Sequence, residues 1–243
     1  MISAEGFEKT FKYLGMFRDG LLGTLLLSAF TVVFGFILGL ILSIIRISGK
    51  NTKNPILKAL AGLASAYVEI IRATPMLVQL FIIYYGMSAM FNLPRFEIFG
   101  LFRFERFLPG VIALSMNSGA YLCEVIRSGI QSIDYGQTEA SRSLGLSAGQ
   151  TMRYVILPQA IKNILPAIAN EFVTIIKESS ICYTVGVQEI MYAASSAKGA
   201  TYLVLEPYLV AAAVYFCLTF PTSKIIAYFE RRMSVGDRHE HDN

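Results

Sequence analysis

Charged residues are scarce in this sequence. They make up 16% of the 243 residues, whereas hydrophobic residues make up 54% and the mean hydropathy is +0.54. A typical soluble domain carries about 25% charged residues. The shortage excludes an ordinary soluble domain and indicates an integral membrane protein. The net charge of +4 is spread over several loops, so it does not indicate nucleic-acid binding.

Several catalytic and metal-binding patterns are also missing. The three cysteines have no Cys-x-x-Cys spacing and lie in apolar surroundings, so the sequence indicates neither a disulfide framework nor a cysteine metal site. Gly49-Lys50 is followed by Asn51 and lacks the upstream glycine of a phosphate loop. The sequence contains neither a His-Glu-x-x-His pattern nor a Gly-x-Ser-x-Gly pattern. We therefore expect no catalytic residue, metal or cofactor in this chain, and no ATP binding by it.

Long apolar runs predict an all-α membrane protein with about five transmembrane helices, each needing about 20 apolar residues. These runs lie at about 21–45, 56–90, 107–126, 165–191 and 207–229. The second run is too long for one straight crossing and contains Pro75, so we predict a helix broken or kinked near Arg72 to Pro75.

The chain divides into an N-terminal interfacial segment at 1–20, a transmembrane domain at 21–230 and a tail at 231–243. In the first segment, Phe7, Phe11 and Leu14 have helical spacing opposite charged residues, which predicts a helix along the membrane surface. The apolar run that follows is longer than a signal-peptide core, so we expect it to remain as a span. His239 and His241 in the tail are interpreted as solvated residues.

A polar loop at about 127–164 separates two apolar runs, and two capping patterns lie within it. Asp134 followed by Gln137 predicts a helix from about Tyr135 to Leu144, and Gly145 is the residue expected just past its end.

The second capping pattern of the loop is Ser147 followed by Gln150. It predicts a second short helix, which we expect Pro158 to end. The sequence thus predicts two short helices that meet at a glycine.

The loop resembles that of binding-protein-dependent ABC importer permeases, whose pattern is Glu-Ala-Ala, three residues, Gly, nine residues, Ile-x-Leu-Pro. This chain has Glu139-Ala140-Ser141, then Gly145, then Val155-Ile156-Leu157-Pro158. Serine replaces the second alanine and valine replaces the isoleucine. Three further stretches resemble the branch that imports polar amino acids: EIIRATPMLVQ from Glu69, NSGAYLCEVIRSGIQSI from Asn117 and NEFVTIIKESS from Asn170. The likeness covers roughly 22–228.

The resemblance implies the architecture of a type I ABC importer permease, whose loop is a cytoplasmic coupling-helix loop. It implies a multi-pass protein of the bacterial cytoplasmic membrane that moves polar amino acids into the cytoplasm. The implied partners are two copies of a separate ATPase, which would bind ATP and magnesium, a second permease, identical or homologous, and an extracytoplasmic solute-binding protein.

The resemblance also implies roles for loop residues. Glu139 and Ala140 would seat the first helix in a cleft of the ATPase, and Gly145 would form the turn. Leu157 and Pro158 would anchor the second helix to the span that follows. The candidate ATPase-coupling residues are Glu139, Ala140, Ser141, Arg142, Gly145, Leu157 and Pro158.

Basic residues near the span ends predict orientation, since they are commoner on the cytoplasmic side. An extracellular N terminus places Arg46, Lys50, Lys53, Lys58, Arg127, Arg142, Arg153, Lys162, Arg231, Arg232 and Arg238 in the cytoplasm. It leaves Lys9, Lys12, Arg18, Arg95, Arg103, Arg106 and Lys198 outside. We therefore predict an outer N terminus and a cytoplasmic C terminus.

Ionisable residues within spans are costly unless they face protein or water, so they are candidates for a translocation path. Glu69 and Arg72 lie one helical turn apart, which allows an internal ion pair. Alternatively, a break at Arg72 to Pro75, which includes Thr74, would expose backbone groups and a cation at mid-membrane depth, where broken-helix transporters bind zwitterions.

Two other spans contain candidate path residues. Asn117, Ser118 and Tyr121 lie on adjacent turns and are interpreted either as hydrogen-bonding groups for a substrate or as helix-packing residues. Glu124 is a further ionisable candidate, and Lys177 belongs to a polar cluster that either lines the path or lets the span bend. Glu69 and Glu124 would favour a cationic substrate, and Arg72 an acidic one.

Two other classes of protein remain as alternatives. An ion-coupled secondary amino acid transporter would work without an ATPase, but it predicts internal repeats, and the first and last spans do not match each other. A structural or signalling membrane subunit would not require polar groups within three separate spans. If ATP depletion abolishes uptake while the ion gradient is held constant, the protein is an ABC importer and not a secondary transporter.

Overall fold

A computed structural model describes residues 2–50 and 52–238, with side chains described as far as residue 232. The α-helices are α1 (Ala4–Phe11), α2 (Leu14–Lys50), α3 (Pro55–Ala73), α4 (Met76–Met90), α5 (Phe104–Gln131), α6 (Tyr135–Ser143), α7 (Ala148–Thr151), α8 (Leu157–Glu178), α9 (Ile190–Thr201) and α10 (Glu206–Arg238). A π turn (Met152–Ile156) joins α7 to α8, and a 3-10 segment (Ser179–Val185) follows α8. Strands β1 (Glu97–Ile98) and β2 (Phe102–Arg103) form a short antiparallel hairpin before α5, with Ile98 opposite Phe102.

The helices agree with an all-α membrane protein. Within the described residues, α2 and α10 are each long and apolar enough to cross a membrane by themselves. Helices α3 and α4 pass this test only together, with a bend of 111° between them, which corresponds to a broken span or a re-entrant loop. The prediction of a break near Arg72 to Pro75 is therefore confirmed. Helices α5 and α8 overlap the third and fourth predicted runs but carry polar residues on several turns and do not meet this test. Up to three of the about five predicted spans are therefore identified by length and composition among the described residues.

The fourth predicted run, 165–191, is not one helix, and in this respect the prediction was wrong. Helix α8 ends at Glu178, and the chain turns through the 3-10 segment to Gly186, whose φ of 79° ends that segment. The Ser179 hydroxyl donates to the Ile176 carbonyl, a local bond that competes with regular helix. The polar residues at 177–180 thus mark the joint at which the span ends, and α9 follows as a separate helix.

Helices α2 and α5 pack closely and run in the same direction. Gly23, near the beginning of α2, faces Phe102, which lies just before α5. Gly39, further along α2, faces Leu122 of α5. A glycine at such points lets two helices approach closely, as is common in membranes. The parallel arrangement places the N-terminal end of α5 and the polar loop after α5 at opposite ends of the molecule.

The main buried cluster lies between α2, α4, α5 and the turn before α9, and it includes Leu27, Leu80, Leu114 and Val187. A second cluster joins α9 and α10 to the start of α2 and is partly covered by α1. Both clusters lie toward the N-terminal end of α5, whereas one smaller cluster lies around Cys123 in the second half of α5 and another lies around Ile126, near the polar loop.

The N-terminal segment contains the amphipathic helix α1. Phe7 packs against the second cluster, and the backbone of Ser3 donates to the carboxylate of Glu206, while Phe11 and Leu14 are exposed. These exposed apolar residues agree with a membrane-surface position, which stays a prediction. At the other end, α10 extends through residue 238, so the first part of the predicted tail is helical. His239 and His241 lie outside the described residues.

Candidate coupling loop and translocation path

The first loop helix, α6, begins and ends as local capping chemistry predicts. Asp134 is its N-cap, and its carboxylate accepts a hydrogen bond of 2.6 Å from the Gly136 amide. At the other end, Gly145 has a φ of 87°, and its amide donates to the Arg142 carbonyl at 3.0 Å. The left-handed glycine after Leu144 is therefore confirmed. The reciprocal bond from Gln137 to the N-cap backbone is absent among the described residues.

The second loop helix begins at the expected capping box but does not end at Pro158. Ser147 accepts from the Gln150 amide, and the Gln150 side chain accepts from the Ser147 amide. The helix then continues through the π turn into α8, so the expected stop was wrong. Proline has no amide hydrogen, and its ring collides with the carbonyl four residues earlier in a regular helix. The π turn directly before Pro158 changes that pairing and lets the helix continue.

The part of the loop around Glu139 exposes apolar side chains. Tyr135 is 72% exposed and Leu144 is 84% exposed, and Glu139 and Ala140 are exposed as well. Exposed aromatic and aliphatic side chains rimmed by polar residues are typical of a surface that contacts another protein. We call this surface, Tyr135 to Gly145, the coupling elbow.

The remaining loop candidates make contacts within the chain. Ser141 is buried, and its hydroxyl donates to the Gln137 carbonyl, while Arg142 donates to the Leu146 carbonyl at 2.8 Å. Leu157 and Pro158 are exposed at the beginning of α8.

Helix α8 is instead held against α5 by residues that follow Pro158. Ala160 and Ile164 are buried together with Ile126, and Ile164 lies against Gly129. The apolar spacing after the proline was the signal in the sequence for this contact.

The Gly145→Leu substitution is expected to destabilise the elbow by about 1 kcal/mol or more, since a side chain strains left-handed backbone. A Cβ atom at Gly145 would meet no other atom within 4 Å, so the effect comes from backbone conformation and not from a clash. Gly149 is equally open but helical, so Gly149→Leu is the matched control and should not destabilise the protein. Thermal unfolding in detergent compares the two variants; normal assembly and transport in Gly145→Leu would contradict the prediction.

The break between α3 and α4 is fastened by a side chain that the sequence interpretation did not single out. The Gln79 amide donates to the carbonyls of Ile71 and Thr74, at 2.7 Å and 3.0 Å. Its oxygen accepts from the Asn117 amide of α5 at 3.0 Å. These bonds satisfy carbonyls that the end of α3 would otherwise leave unpaired. A glutamine within an otherwise apolar helix was the signal in the sequence.

The ion pair between Glu69 and Arg72, one of the two interpretations of these residues, is not formed. Both side chains are exposed, and Glu69 has no ion pair within the described part of the chain. The Arg72 guanidinium instead lies 5.3 Å from the centre of the Tyr121 ring. A ring face attracts a cation, and this contact competes with the helical pair. The structure therefore brings together Arg72 and Tyr121, a cation and an aromatic ring at the broken span.

Glu124 lies away from the break and is held by two arginines. One carboxylate oxygen accepts from Arg46 of α2, and the other accepts from Arg127 at 2.6 Å. Arg46 also donates to the Ser65 hydroxyl of α3 at 3.0 Å. The carboxylate thus ties α2 and α3 to α5 near the loop.

Three other path candidates differ in their surroundings. Ser118 is buried against Gly35 and lies beside the Glu171 carboxyl. Thr74 is exposed at the break, and its hydroxyl accepts from Gln79 at 2.8 Å. Lys177 is exposed in the last turn of α8.

Comparison of the sequence with known proteins identifies the family of this chain. The sequence profile described as "Binding-protein-dependent transport system inner membrane component" matches residues 35–235. The chain is 37% identical over 231 residues to the arginine transport system permease protein ArtQ of Bacillus subtilis (strain 168), covering 95% of this chain and 98% of the relative. It is 39% identical over 209 residues to the nopaline transport system permease protein NocM of Agrobacterium fabrum (strain C58 / ATCC 33970), covering 85% of this chain and 83% of the relative.

Solved structures agree with the sequence comparison. One chain of a crystal structure described as an amino acid ABC transporter with histidines matches with a TM-score of 0.83 and 42% identity, covering 96% of this chain and 100% of that chain. An inward-facing MetNI methionine ABC transporter shares the fold, with a TM-score of 0.72 at 18% identity over 90% of this chain and 97% of that chain. The chain therefore belongs to the family of binding-protein-dependent transport system inner membrane components.

Proposed function

We propose that this chain is the permease subunit of an ABC importer that moves polar amino acids into the cytoplasm. The coupling elbow carries the proposal, because the exposed Tyr135 and Leu144 beside Glu139 on a capped polar loop are typical of a surface that contacts another protein. Two relatives are named as arginine and nopaline transport permeases, and these names support an amino acid as the substrate. The broken span with Arg72 over Tyr121 supplies an accessible cation for a substrate carboxylate.

The partners follow from the proposed function. A separate ATPase, in two copies, would bind ATP and magnesium, a second permease would complete the transmembrane unit, and a solute-binding protein would deliver the amino acid. Closure of the ATPase pair would push on the coupling elbow and convert the spans from inward-facing to outward-facing. The elbow would then lie in the cytoplasm. The N terminus of the chain lies at the same end of the molecule as the beginning of α5, opposite the elbow, so it would lie outside.

Co-purification of the tagged chain from its native membrane tests the proposal. Wild type should retain an ATPase, and Glu139→Lys should reduce its recovery at least about tenfold, because reversing one interfacial charge costs 1.4 kcal/mol or more. Glu8→Lys is the matched control, since Glu8 is also exposed but lies on α1 at the opposite end of the molecule. Absence of an ATPase from all three samples would overturn the proposal.

A second measurement separates the proposed importer from a secondary transporter. Uptake of amino acids by cells is followed after ATP depletion while the ion gradient is clamped. Loss of uptake is expected for an ATPase-driven permease, whereas persistent uptake would support ion coupling.

A further inference from the structure

A polar cavity of about 400 Å³ opens between the end of α4, the loop after it and the beginning of α5. Its size is within the range of small-molecule sites. Among the residues that line it are Ser88, Asn92, Arg95, Arg103, Glu105 and Arg106. We call it the outer cavity. Three guanidinium groups and one carboxylate thus surround a single opening.

The outer cavity and the coupling elbow lie at opposite ends of α5. The helix has 28 residues, which gives it a length of about 42 Å. The cavity is at its first turn, and the elbow follows its last turn. If the elbow binds an ATPase in the cytoplasm, the cavity faces the side from which substrate arrives.

The charges of the outer cavity are not neutralised by each other. One carboxylate oxygen of Glu105, Oε2, is buried and has no hydrogen-bond partner among the described residues. Arg106 donates to the Gly186 carbonyl at 3.3 Å, and Arg95 and Arg103 are exposed. A carboxylate with an unpaired oxygen is destabilising, and a ligand that brings a positively charged donor to this carboxylate would offset that cost.

The beginning of α5 adds a further attraction for a negative group. Arg103 is its N-cap residue, and its side chain makes no capping hydrogen bond. The N-terminal end of a helix carries a partial positive charge, so an anion placed among these arginines would be stabilised by the helix as well. The surroundings therefore suit a ligand that carries both charges.

We propose that the outer cavity is an entry subsite for the zwitterionic head of an amino acid, an inference that rests on the proposed function. The guanidinium groups of Arg95 and Arg103 bind the α-carboxylate, which an arginine fork matches in geometry. The Glu105 carboxylate, which is partly exposed and lines the cavity, accepts from the α-ammonium. The subsite is distinct from the broken span at Arg72 and lies before it on the way into the membrane. It recognises the part that all α-amino acids share, so it does not select among side chains.

Equilibrium binding to the permease–ATPase complex in lipid nanodiscs, without a solute-binding protein, tests the subsite. The probes are radiolabelled arginine and glutamine, and their decarboxylated analogues, agmatine and 4-aminobutyramide. Arg103→Gln and Glu105→Gln should each weaken binding of a transported probe at least about tenfold, because each removes one charge-assisted bond. The analogues should bind wild type as weakly as the probes bind Arg103→Gln.

Lys12→Gln is the matched control, because Lys12 is an exposed cation at the same end of the molecule but does not line the cavity. It should bind the probes as wild type does. Thermal unfolding of all variants checks that the cavity substitutions leave the fold intact. Arg106 is avoided because it also supports the turn at Gly186.

Three results would overturn the proposed subsite. The first is that both cavity variants bind the probes as wild type does, and the second is that neither probe binds to a wild-type complex that transports one of them. The third is that the cavity variants lose affinity only for the solute-binding protein and not for the probes. The last result would mean that the arginines dock an acidic surface of that protein. Uptake of polar amino acids by the wild-type complex is measured in parallel in proteoliposomes, with ATP and the solute-binding protein. If the complex transports no polar amino acid, the proposed function fails instead of the subsite.

Discussion

The Glu189→Ala substitution is expected to destabilise the protein by about 3–5 kcal/mol, near the upper end of single substitutions. The Glu189 side chain is fully buried and is the N-cap of α9. Its carboxylate accepts from the amides of Met191 and Tyr192, at 2.9 Å and 2.7 Å, and from the Tyr215 hydroxyl of α10 at 2.6 Å. Alanine removes the cap and leaves three donors without their acceptor.

Denaturant titration in detergent micelles measures this change in the free energy of unfolding. Glu189→Gln keeps one acceptor oxygen, so its loss should be less than half that of alanine. Glu97→Ala, on the exposed side of β1, is the control and should change stability by less than about 0.5 kcal/mol. If Glu189→Ala cost less than 1 kcal/mol, the carboxylate would not be what holds α9 in place.

The Glu124→Leu substitution should cost about 3 kcal/mol or more and abolish transport. It leaves Arg46, only 14% exposed, without its carboxylate at the junction of α2 and α5. The pair is partly buried, and removing one partner leaves an uncompensated charge, which is more destabilising than removing both. Arg127 is more exposed and keeps a bond to Gln131, so Arg46 accounts for most of the loss. The free energy of unfolding and the uptake of amino acids are both measured.

The double variant Arg46→Met with Glu124→Leu distinguishes the two roles of Glu124. If the carboxylate acts only as a tie between helices, an apolar replacement of the pair should recover most of the stability and much of the uptake. If Glu124 contacts the substrate on the translocation path, stability should recover while uptake stays lost. Arg46→Met alone is the control that leaves Glu124 with Arg127.

Local chemistry explains which parts of the fold were predicted from the sequence. Asp134, Gly145 and Pro75 act through their own backbone and their neighbours, so caps and a break follow from the order of residues alone. Helix α9 was missed because its last turn is followed by Tyr202 in a left-handed conformation, at a φ of 58°, where no glycine marks the end. Continuity through Pro158 was also missed, because it depends on a π turn that has no sequence signature.

The candidate path depends on contacts between distant segments, and there the sequence was a weaker guide. Glu69 and Arg72 are neighbours on α3, but the Arg72 guanidinium packs on the ring of Tyr121 of α5. Gln79 lies within one of the quoted family stretches, yet its part in closing the break depends on Asn117 of α5. Which partner a buried polar group takes is set by helix packing, and a single sequence does not contain that packing.

The π turn before Pro158 has a mechanical consequence. From Ala148 to Glu178 the backbone is an unbroken helical rod, about 45 Å long. Movement at one end is transmitted to the other through this continuous helix, which contains Pro158 near the π turn and Pro166 further along. The far end meets the 3-10 segment and the turn at Gly186, whose carbonyl holds Arg106 in the wall of the outer cavity. In the proposed importer, a tilt of this helix started by the ATPase would therefore also move the cavity wall.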